Sequence, residues 1–257
     1  PPQFMPYKLK NKKLNYILVI PARYKSSRLE GKPLIDLNGI PMIVRTYRQC
    51  LKTVPSNLIY IATDHDLIEK VCSKEGIQVV MTSSDCLTGT DRVAEVSEKI
   101  NAKTYINVQG DEPLFNPDDL KLLLKEIKKY PNEIITGYCE IDDERTHKDL
   151  HVPKVVIRPD GRLLYASRAP IPSNKFNRFQ KGWRQVCAYA FPKKVLKTFS
   201  STKKKTELED IEDIEYLRFL ELGLEVRTLR MSKMSLAVDT LGDVISAKKM
   251  ISKLGMD

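Results

Sequence analysis

Apolar residues occur along the first half of the chain in short runs and in helical stripes. Short runs rich in apolar and β-branched residues predict strands at 16–20, 58–62, 77–81 and 105–108. Between them, apolar residues recur at helical spacing after Pro41, after Asp64, which is predicted to cap its helix, and after Asn116-Pro117. Strands separated by helices predict an α/β fold, an open, mostly parallel sheet with helices on both faces.

The pattern changes near residue 150. Two strands joined by a turn are predicted at 155–157 and 163–166, with further strands at 186–191 and 226–229. Thr206 and Glu209 have the spacing of a capping box and predict one helix that runs to Gly223, and the tail from Gly242 is also predicted to be helical. We therefore expect a basic N-terminal extension at 1–14 and a single domain at 15–257, with a β-rich insertion at about 150–205.

Composition narrows the class of protein. The 257 residues are 42% hydrophobic and 30% charged, which is typical of a folded chain with a substantial core. The five cysteines form no CxxC pair, so neither a disulfide framework nor a zinc site is expected, and a cytoplasmic location is favoured. The longest apolar stretch, 16–22, is far shorter than the roughly 20 residues that cross a bilayer, so no membrane contact is expected.

Charge points to polyanionic ligands. Lys and Arg number 43 against 33 Asp and Glu, a formal net charge of +10. The basic residues are dispersed and have no interleaved aromatic pattern, so nucleic acid is not expected as a partner. A surface that is merely rich in lysine is the alternative explanation.

The loop after the first strand is the richest in cations. Residues 21–33 contain Arg23, Lys25, Arg28 and Lys32, together with two serines and Gly31. Such a loop can neutralise a triphosphate and offer backbone N–H groups to its oxygens, although an ordinary solvated loop has a similar composition. The GxxxxGK[ST] pattern is absent, so this is not a Walker A loop.

Two carboxylates follow apolar segments elsewhere in the chain. Asp111 comes after the fourth predicted strand, and Asp239 follows Val238 near the C-terminus. Mg²⁺ prefers one or two carboxylates together with phosphate oxygens. An ordinary β-turn at Asp111 and a helix N-cap at Asp239 are the alternatives, but with the cationic loop the two carboxylates predict metal-assisted chemistry on a nucleoside triphosphate.

Seven segments, taken in order, resemble the 3-deoxy-manno-octulosonate cytidylyltransferases: 20–34, 38–42, 62–64, 88–92, 107–113, 167–172 and 238–240. The resemblance implies a fold like that of the nucleotide-diphospho-sugar transferases. It also implies transfer of CMP from CTP to the anomeric hydroxyl of a 3-deoxy-ulosonic acid such as Kdo, with Mg²⁺ and release of pyrophosphate, for a bacterial surface glycan. A homodimer is implied as well, with the insertion at about 150–205 as the plausible interface.

The resemblance assigns roles residue by residue. It implies that Arg23, Lys32 and Asp111 are catalytic and that Asp111 and Asp239 hold Mg²⁺. The implied nucleotide-binding residues are Ala22, Arg23, Arg28, Lys32, Thr90, Arg92 and Gln109, with Thr90 and Arg92 in a loop that helps frame the cytidine. The implied sugar-binding residues are Arg168, Lys175, Gln185, Tyr189, Glu215 and Tyr216. The histidines His65, His147 and His151 lie outside the matched segments and are expected at the surface.

Three of the sugar-side positions depart from the family pattern. Lys175 stands where an arginine is usual, Gln185 where a histidine is usual, and Tyr216 where a glutamine is usual. A lysine loses the bidentate geometry of arginine, and glutamine cannot titrate as histidine does. These changes indicate either a modified sugar acid, such as an 8-amino form of Kdo, or neutral drift. A cytidylyltransferase for another acid sugar of the sialic type and an inactive nucleotide-binding homologue are the alternative functions.

Overall fold

Strands and helices alternate through most of the chain in the computed structural model, which describes residues 13–26 and 29–256. The strands of this part are β1 (Leu14–Ala22), β2 (Asp36–Leu37), β3 (Ile40–Pro41), β4 (Ile59–Thr63), β5 (Val79–Met81), β6 (Ala102–Val108), β7 (Ile134–Ile141), β8 (Lys154–Ile157), β9 (Leu163–Ser167), β10 (Gly182–Pro192) and β11 (Val226–Arg230). Its α-helices are α1 (Met42–Leu51), α2 (Asp66–Lys74), α3 (Gly89–Lys99), α4 (Pro117–Lys129), α5 (Glu144–Lys148), α6 (Lys193–Ser200), α7 (Glu207–Glu212), α8 (Leu217–Glu221) and α9 (Leu241–Lys253).

The main sheet consists of a parallel half and a half built around one antiparallel strand. In the first half, β1 lies between β4 and β6 and pairs in parallel with both, and β5 pairs in parallel with β4. In the second half, β10 lies antiparallel between β6 and β7, while β11 is parallel to β7. The predicted α/β fold with an open, mostly parallel sheet is confirmed, and β10 makes that sheet mixed.

The segment after residue 150 contains a β-hairpin. Strands β8 and β9 pair antiparallel, and β8 also pairs with β10 through Lys154 and Arg184. Both predicted strands of the turn at 158–161 are therefore present. The hairpin extends the sheet next to β10.

Helices cover both faces of the sheet because β1 is apolar on both faces. Leu18 and Ile20 belong to a buried cluster that includes residues of α1, α2 and α4. Ile17 and Val19 belong to a second cluster that includes residues of α3, α6 and α8. A continuous apolar run is typical of a strand buried on both sides, and it places β1 in the middle of the sheet.

Several local elements differ from the sequence prediction. His65 caps α2 instead of Asp64, since its Nδ1 accepts from the Leu67 N–H at 3.2 Å. Helix α3 begins at Gly89, where a loop was predicted, and Thr88 caps it. The single helix predicted after Thr206 is divided into α7 and α8, because Asp213 adopts a left-handed backbone with φ of 51°.

None of the helices in the described ranges combines the length and the apolar character that spanning a bilayer requires.

A buried arginine connects three helices behind the sheet. Arg218 of α8 is fully buried and donates from Nε and from one terminal nitrogen to the Glu209 carboxylate of α7, both at 2.7 Å. It also donates to Asp91 Oδ1 of α3 at 2.9 Å, and its guanidinium lies 3.8 Å from the centroid of the Phe199 ring. The loss of this guanidinium would leave two carboxylates without their cation.

We expect Arg218→Met to lower the free energy of unfolding by about 3–5 kcal/mol, because it leaves the buried Glu209 and Asp91 unpaired. Urea unfolding followed by circular dichroism measures this loss. Arg230→Met is the matched control, since Arg230 is 64% exposed and is paired with Glu140 at the surface. The control is expected to cost less than about 1 kcal/mol, and an equally small loss for Arg218→Met would contradict the network's role.

Candidate active site

A cavity of about 350 Å³ opens at the carboxyl ends of β1 and β6. Ligands of open α/β sheets bind at this edge. Most of the predicted site residues line it: Ala22, Arg23, Lys32, Arg92, Gln109, Asp111, Arg168, Gln185, Tyr189, Glu215 and Asp239. Arg28 lies outside the described residues, as do positions 1–12 of the predicted extension.

Hydrogen bonds at both ends hold the cationic loop after β1 in place. The Tyr24 N–H donates to Asp64 Oδ1 at 3.2 Å, and the Tyr24 ring stacks on His65 with 3.9 Å between centroids. The Gly31 N–H donates to the Tyr24 carbonyl at 3.1 Å, and Gly31 has a φ of 63°, which favours glycine. A short 3₁₀ turn at 32–34 follows directly, so the backbone of Lys32 is fixed at the cavity edge.

Gly110 brings the end of β6 against the end of β1. A β-carbon at this position would lie 2.7 Å from the Pro21 carbonyl oxygen, so only glycine permits this approach. The Thr46 hydroxyl donates to the Gly110 carbonyl at 3.0 Å and holds the turn. Asp111, the next residue, is thereby directed into the cavity lining.

Asp239 reaches the same place from the C-terminal segment. The Val238 N–H donates to the backbone carbonyl of Asp111 at 2.9 Å, which aligns the two segments. Thr240 is the N-cap of α9, and its hydroxyl accepts from the Asp243 N–H in a capping box. The alternative in which Asp239 caps the helix is therefore wrong, because Thr240 fills that role.

One lysine bridges the two carboxylates. Lys32 Nζ donates to Asp111 Oδ2 at 2.6 Å and to Asp239 Oδ1 at 3.0 Å. Burial alone would lower the pKa of Lys32, but the Asp111 and Asp239 carboxylates raise it above its ordinary value. The two predicted metal ligands thus lie on either side of a single ammonium group.

The donor set at this position fits a magnesium ion that also binds substrate. Within 13–26 and 29–256, no three His, Cys, Asp or Glu side chains form a metal-binding group. Asp111 and Asp239 supply two hard carboxylates that already hold a cation, the Lys32 ammonium, between them. Two carboxylates completed by phosphate and water oxygens are a typical environment of Mg²⁺, whereas zinc prefers Cys and His.

A buried glutamate lies beneath these carboxylates. Glu112 is 3% exposed and accepts a hydrogen bond from the Ser235 hydroxyl. Burial, and then the neighbouring Asp111 charge, raise the pKa of Glu112 to about 8. Glu112 is therefore mostly protonated at pH 7 and adds little negative charge to the site.

The N-terminus of α3 forms one wall of the cavity, and Glu215 holds it. The Glu215 carboxylate accepts from the Thr90 N–H at 2.8 Å, from the Thr90 hydroxyl at 2.6 Å and from the Gly89 N–H at 3.3 Å. Burial raises the pKa of Glu215, while the bonds from Thr90 oppose that rise. Thr90 is buried and lies outside the cavity lining, in the first turn of a helix and not in the predicted loop.

Arg92 connects α3 to the end of β4. One terminal nitrogen donates to Asp64 Oδ2 at 3.0 Å, and the other donates to the Ser83 carbonyl at 3.2 Å. Arg92 is only 3% exposed, although it borders the cavity. Asp64 is thus shared between Arg92 and the backbone of the cationic loop.

Alternate residues of β10 form the opposite wall. Gln185, Cys187 and Tyr189 all line the cavity, and the Gln185 amide donates to the Tyr189 hydroxyl. Burial raises the pKa of both the Cys187 thiol and the Tyr189 phenol well above their ordinary values. The wall is therefore uncharged at neutral pH.

Arg168 supports the far end of the cavity through backbone carbonyls. Its guanidinium donates to the carbonyls of Glu212 at 2.5 Å, Asp213 at 3.0 Å and Leu150 at 3.1 Å. Its own N–H donates to the Glu212 carboxylate at 2.8 Å. Arg168 therefore ties the end of β9 to the break between α7 and α8.

Two predicted sugar-binding residues lie away from the cavity. Tyr216 is 1% exposed within the core cluster behind the sheet, where its ring packs at 6.2 Å from Tyr189, and its hydroxyl has no partner among the described residues. Lys175 is exposed on the loop before β10, with its Nζ 5.0 Å from the Phe176 ring centroid. Neither side chain belongs to the lining, which differs from the prediction.

The lining residues that were not predicted from the sequence include His151, Cys187, Lys205 and Asp213. Cys187 could have been found from the alternation of side chains along β10, because Gln185 and Tyr189, two residues away on either side, were already predicted to bind the sugar. Lys205 pairs with Asp213 at 2.8 Å, a contact between residues on either side of α7. The expectation that the histidines lie at the surface is wrong for His147, which is 3% exposed and contacts the Ile171 carbonyl at 3.1 Å.

Known proteins are similar in sequence to this chain over most of its length. The profile of a family described as cytidylyltransferase matches residues 17–228. The 3-deoxy-manno-octulosonate cytidylyltransferase of Chlorobium phaeobacteroides is 37% identical over 239 residues, which are 91% of this chain and 96% of that protein. The enzyme of the same description from Escherichia coli is 35% identical, over 87% of this chain and 91% of its own length.

Solved structures share the fold. A structure of CMP:2-keto-3-deoxy-manno-octonic acid synthetase complexed with CTP matches with a TM-score of 0.86 at 33% identity, over 93% of this chain and 99% of that one. A glucose-1-phosphate thymidylyltransferase of Bacillus anthracis matches with a TM-score of 0.65 at 15% identity, over 91% and 94%, which shows a shared fold alone.

Proposed function

Since the chain belongs to the 3-deoxy-manno-octulosonate cytidylyltransferase family, we propose that the cavity between β1, β6 and β10 is its active site. The enzyme is a nucleotidyltransferase that transfers CMP from CTP to the anomeric hydroxyl of a 3-deoxy-ulosonic acid of the Kdo type and releases pyrophosphate. The observation that carries the assignment of the site is the Lys32 ammonium, which brings Asp111 and Asp239 together inside a cavity lined by further cations.

The cationic loop binds the triphosphate in this proposal. Arg23 and Lys32 line the cavity where the loop leaves β1, and Arg28 belongs to the same loop in sequence. These cations offset the charge that builds up on pyrophosphate as it leaves, and the backbone of the loop that carries them is held by Asp64 and Gly31. The Gln109 side chain lies next to Gly89 in the lining and is proposed to contact the nucleotide.

Asp111 and Asp239 hold Mg²⁺ in this proposal. A metal ion held there would supply Lewis-acid chemistry, polarising the α-phosphate and favouring deprotonation of the attacking sugar hydroxyl. The chain's own contribution is to orient the two carboxylates, through the Val238–Asp111 backbone bond and the approach that Gly110 permits. The sugar is proposed to bind against the walls formed by β10 and by Glu215, which line the same cavity.

We expect Asp111→Asn to reduce turnover at least about 100-fold, because losing a carboxylate ligand removes several kcal/mol of transition-state stabilisation. Pyrophosphate release with CTP, Kdo and Mg²⁺ measures it. Asp118→Asn is the control, since the same change is made at an exposed carboxylate that pairs with Lys121 on α4. Near-normal turnover of Asp111→Asn would contradict the metal assignment, and no pyrophosphate from the unmodified chain would contradict the function.

The sugar preference is proposed to depend on Gln185. Its amide lines the cavity and donates to Tyr189, whereas the other two sugar-side departures from the family pattern, Lys175 and Tyr216, do not reach the lining. Of the three departures, Gln185 is therefore the one placed to contact substrate. A modified Kdo, such as the 8-amino form, remains our proposal for the preferred substrate, and sialic-type sugars are the alternative.

Gln185→His is expected to shift the ratio of kcat/KM values at least about fivefold toward unmodified Kdo, because an imidazole replaces the amide at the sugar wall. Pyrophosphate release with Kdo, 8-amino-Kdo and a sialic acid measures the preference. Tyr216→Phe removes a buried hydroxyl without a protein partner in the described part and is the control, expected to leave the ratio unchanged. An unchanged ratio for Gln185→His would favour the alternative that Gln185 arose by neutral drift.

Two further properties are proposed. All five cysteines are free, which is typical of reducing compartments and supports action in the cytoplasm. The insertion at about 150–205 presents Leu150, Leu164 and Phe176 with exposures of 61%, 56% and 68%, which supports its use as the interface of a homodimer.

The double variant Leu164→Asp, Phe176→Asp is expected to be monomeric, since two charges would lie in the apolar interface. Light scattering during size-exclusion chromatography should give twice the mass of one chain for the unmodified protein. Leu241→Asp, which changes a leucine that is 69% exposed outside the insertion, should stay dimeric. A monomeric unmodified protein would exclude the homodimer, and a double variant that remains dimeric would place the interface elsewhere.

A further inference from the structure

Lys32 occupies the position that a divalent cation would take between Asp111 and Asp239. Its Nζ lies 2.6 Å and 3.0 Å from one oxygen of each carboxylate, and the side chain is only 16% exposed. Mg²⁺ binds carboxylate oxygens at about 2.0–2.1 Å. A cation held by these same two oxygens would overlap the ammonium, so the ammonium and a metal ion that bridges these oxygens exclude each other.

We propose that Lys32 acts as an internal counter-cation that keeps the metal site closed until a nucleoside triphosphate receives its ammonium group. This inference rests on the proposed function, because it takes Asp111 and Asp239 as the metal ligands. It gives Lys32 two successive partners, the carboxylates in the ligand-free enzyme and the triphosphate in the loaded one.

If the Lys32 ammonium leaves Asp111 and Asp239, a bound triphosphate is the anion it can pair with next. The backbone of Lys32 is fixed by the 3₁₀ turn after Gly31, so the side chain alone can swing. The other two carboxylates of the described lining are already engaged: Glu215 accepts from the N-terminus of α3, and Asp213 accepts from Lys205. Without nucleotide, a metal ion would have to displace the ammonium into a cavity that offers it no new anion.

Metal and nucleotide must then strengthen each other's binding. The triphosphate removes Lys32 from the carboxylates, and by reciprocity the metal makes the ammonium available to the triphosphate. In the ligand-free enzyme the ammonium also offsets the repulsion between Asp111 and Asp239. The substitution of Lys32 by a neutral residue should therefore have opposite effects on the two ligands.

Mn²⁺ binding to the nucleotide-free 257-residue chain tests the first effect, with free Mn²⁺ measured by electron paramagnetic resonance. Lys32→Met is expected to bind Mn²⁺ about 5- to 150-fold more tightly than the unmodified chain, the usual range of such couplings. Lys32→Gln keeps a hydrogen-bond donor without the charge and should behave in the same way, so a folding defect of one variant does not decide the result. Lys205→Met removes the same charge from the same cavity, where Lys205 pairs with Asp213, and should change Mn²⁺ affinity less than about twofold.

CTP binding in EDTA, measured by calorimetry, tests the second effect. Lys32→Met is expected to bind CTP at least about tenfold more weakly, because the triphosphate loses a charge-assisted hydrogen bond. Tighter Mn²⁺ binding together with weaker CTP binding supports the exchange. Mn²⁺ binding that is unchanged or weaker in both Lys32 variants overturns it, and so does a gain of equal size in Lys205→Met.

The proposed function and the proposed exchange of Lys32 partners can be refuted independently of each other. If the unmodified enzyme makes pyrophosphate from CTP and Kdo but the Lys32 variants do not gain Mn²⁺ affinity, the exchange is wrong and the proposed function stands. If the unmodified enzyme makes no pyrophosphate while both Lys32 variants gain affinity, the catalytic function is wrong and the competition between lysine and metal stands.

Discussion

The parallel pairing of β1 with β6 is the constraint on which the site depends. Leu18 lies opposite Ile106 and Val19 opposite Asn107, so the two strands end side by side. Parallel strands share one direction, and the loop of cations after Ala22 therefore emerges beside the turn that contains Asp111. The close approach of Gly110 to the Pro21 carbonyl brings the two segments together. A side chain at position 110 would separate the lysine from the carboxylate it binds.

Several charged side chains in and around the cavity form ion pairs with one another. Lys32 holds Asp111 and Asp239, Arg92 holds Asp64, and Lys205 holds Asp213. Under the exchange proposed for Lys32, a polyanionic substrate would gain that contact by replacing the carboxylates, and the ion pairs limit the repulsion that a cluster of unpaired cations would cause. The Glu215 carboxylate is also paired with positive charge, since it stabilises the N-terminus of α3 at the cavity wall.

Much of this arrangement could be predicted from the sequence, and the exceptions have physical causes. The strands of the parallel half are continuous apolar runs, and the resemblance gave Asp111, Asp239 and most of the lining. Strand β7 was missed because Gly137 interrupts its pattern; a β-carbon at this position would lie against the sulfur of Met231. Helix α3 was missed because it carries few apolar residues, and its start is fixed by Thr88 and by the distant Glu215. The burial of Tyr216 depends on the left-handed turn at Asp213, which periodicity does not reveal.

The central position of β10 has a consequence for biosynthesis. The strands of the parallel half all lie within residues 14–108, so their pairing can be completed while the ribosome is still making the rest of the chain. β10, which spans residues 182–192, must then insert between β6 and β7, so the hydrogen-bonding edge of β6 stays uncovered through the synthesis of some 80 further residues. An uncovered strand edge can pair with other chains, so the interval before β10 emerges is when this edge is open to aggregation.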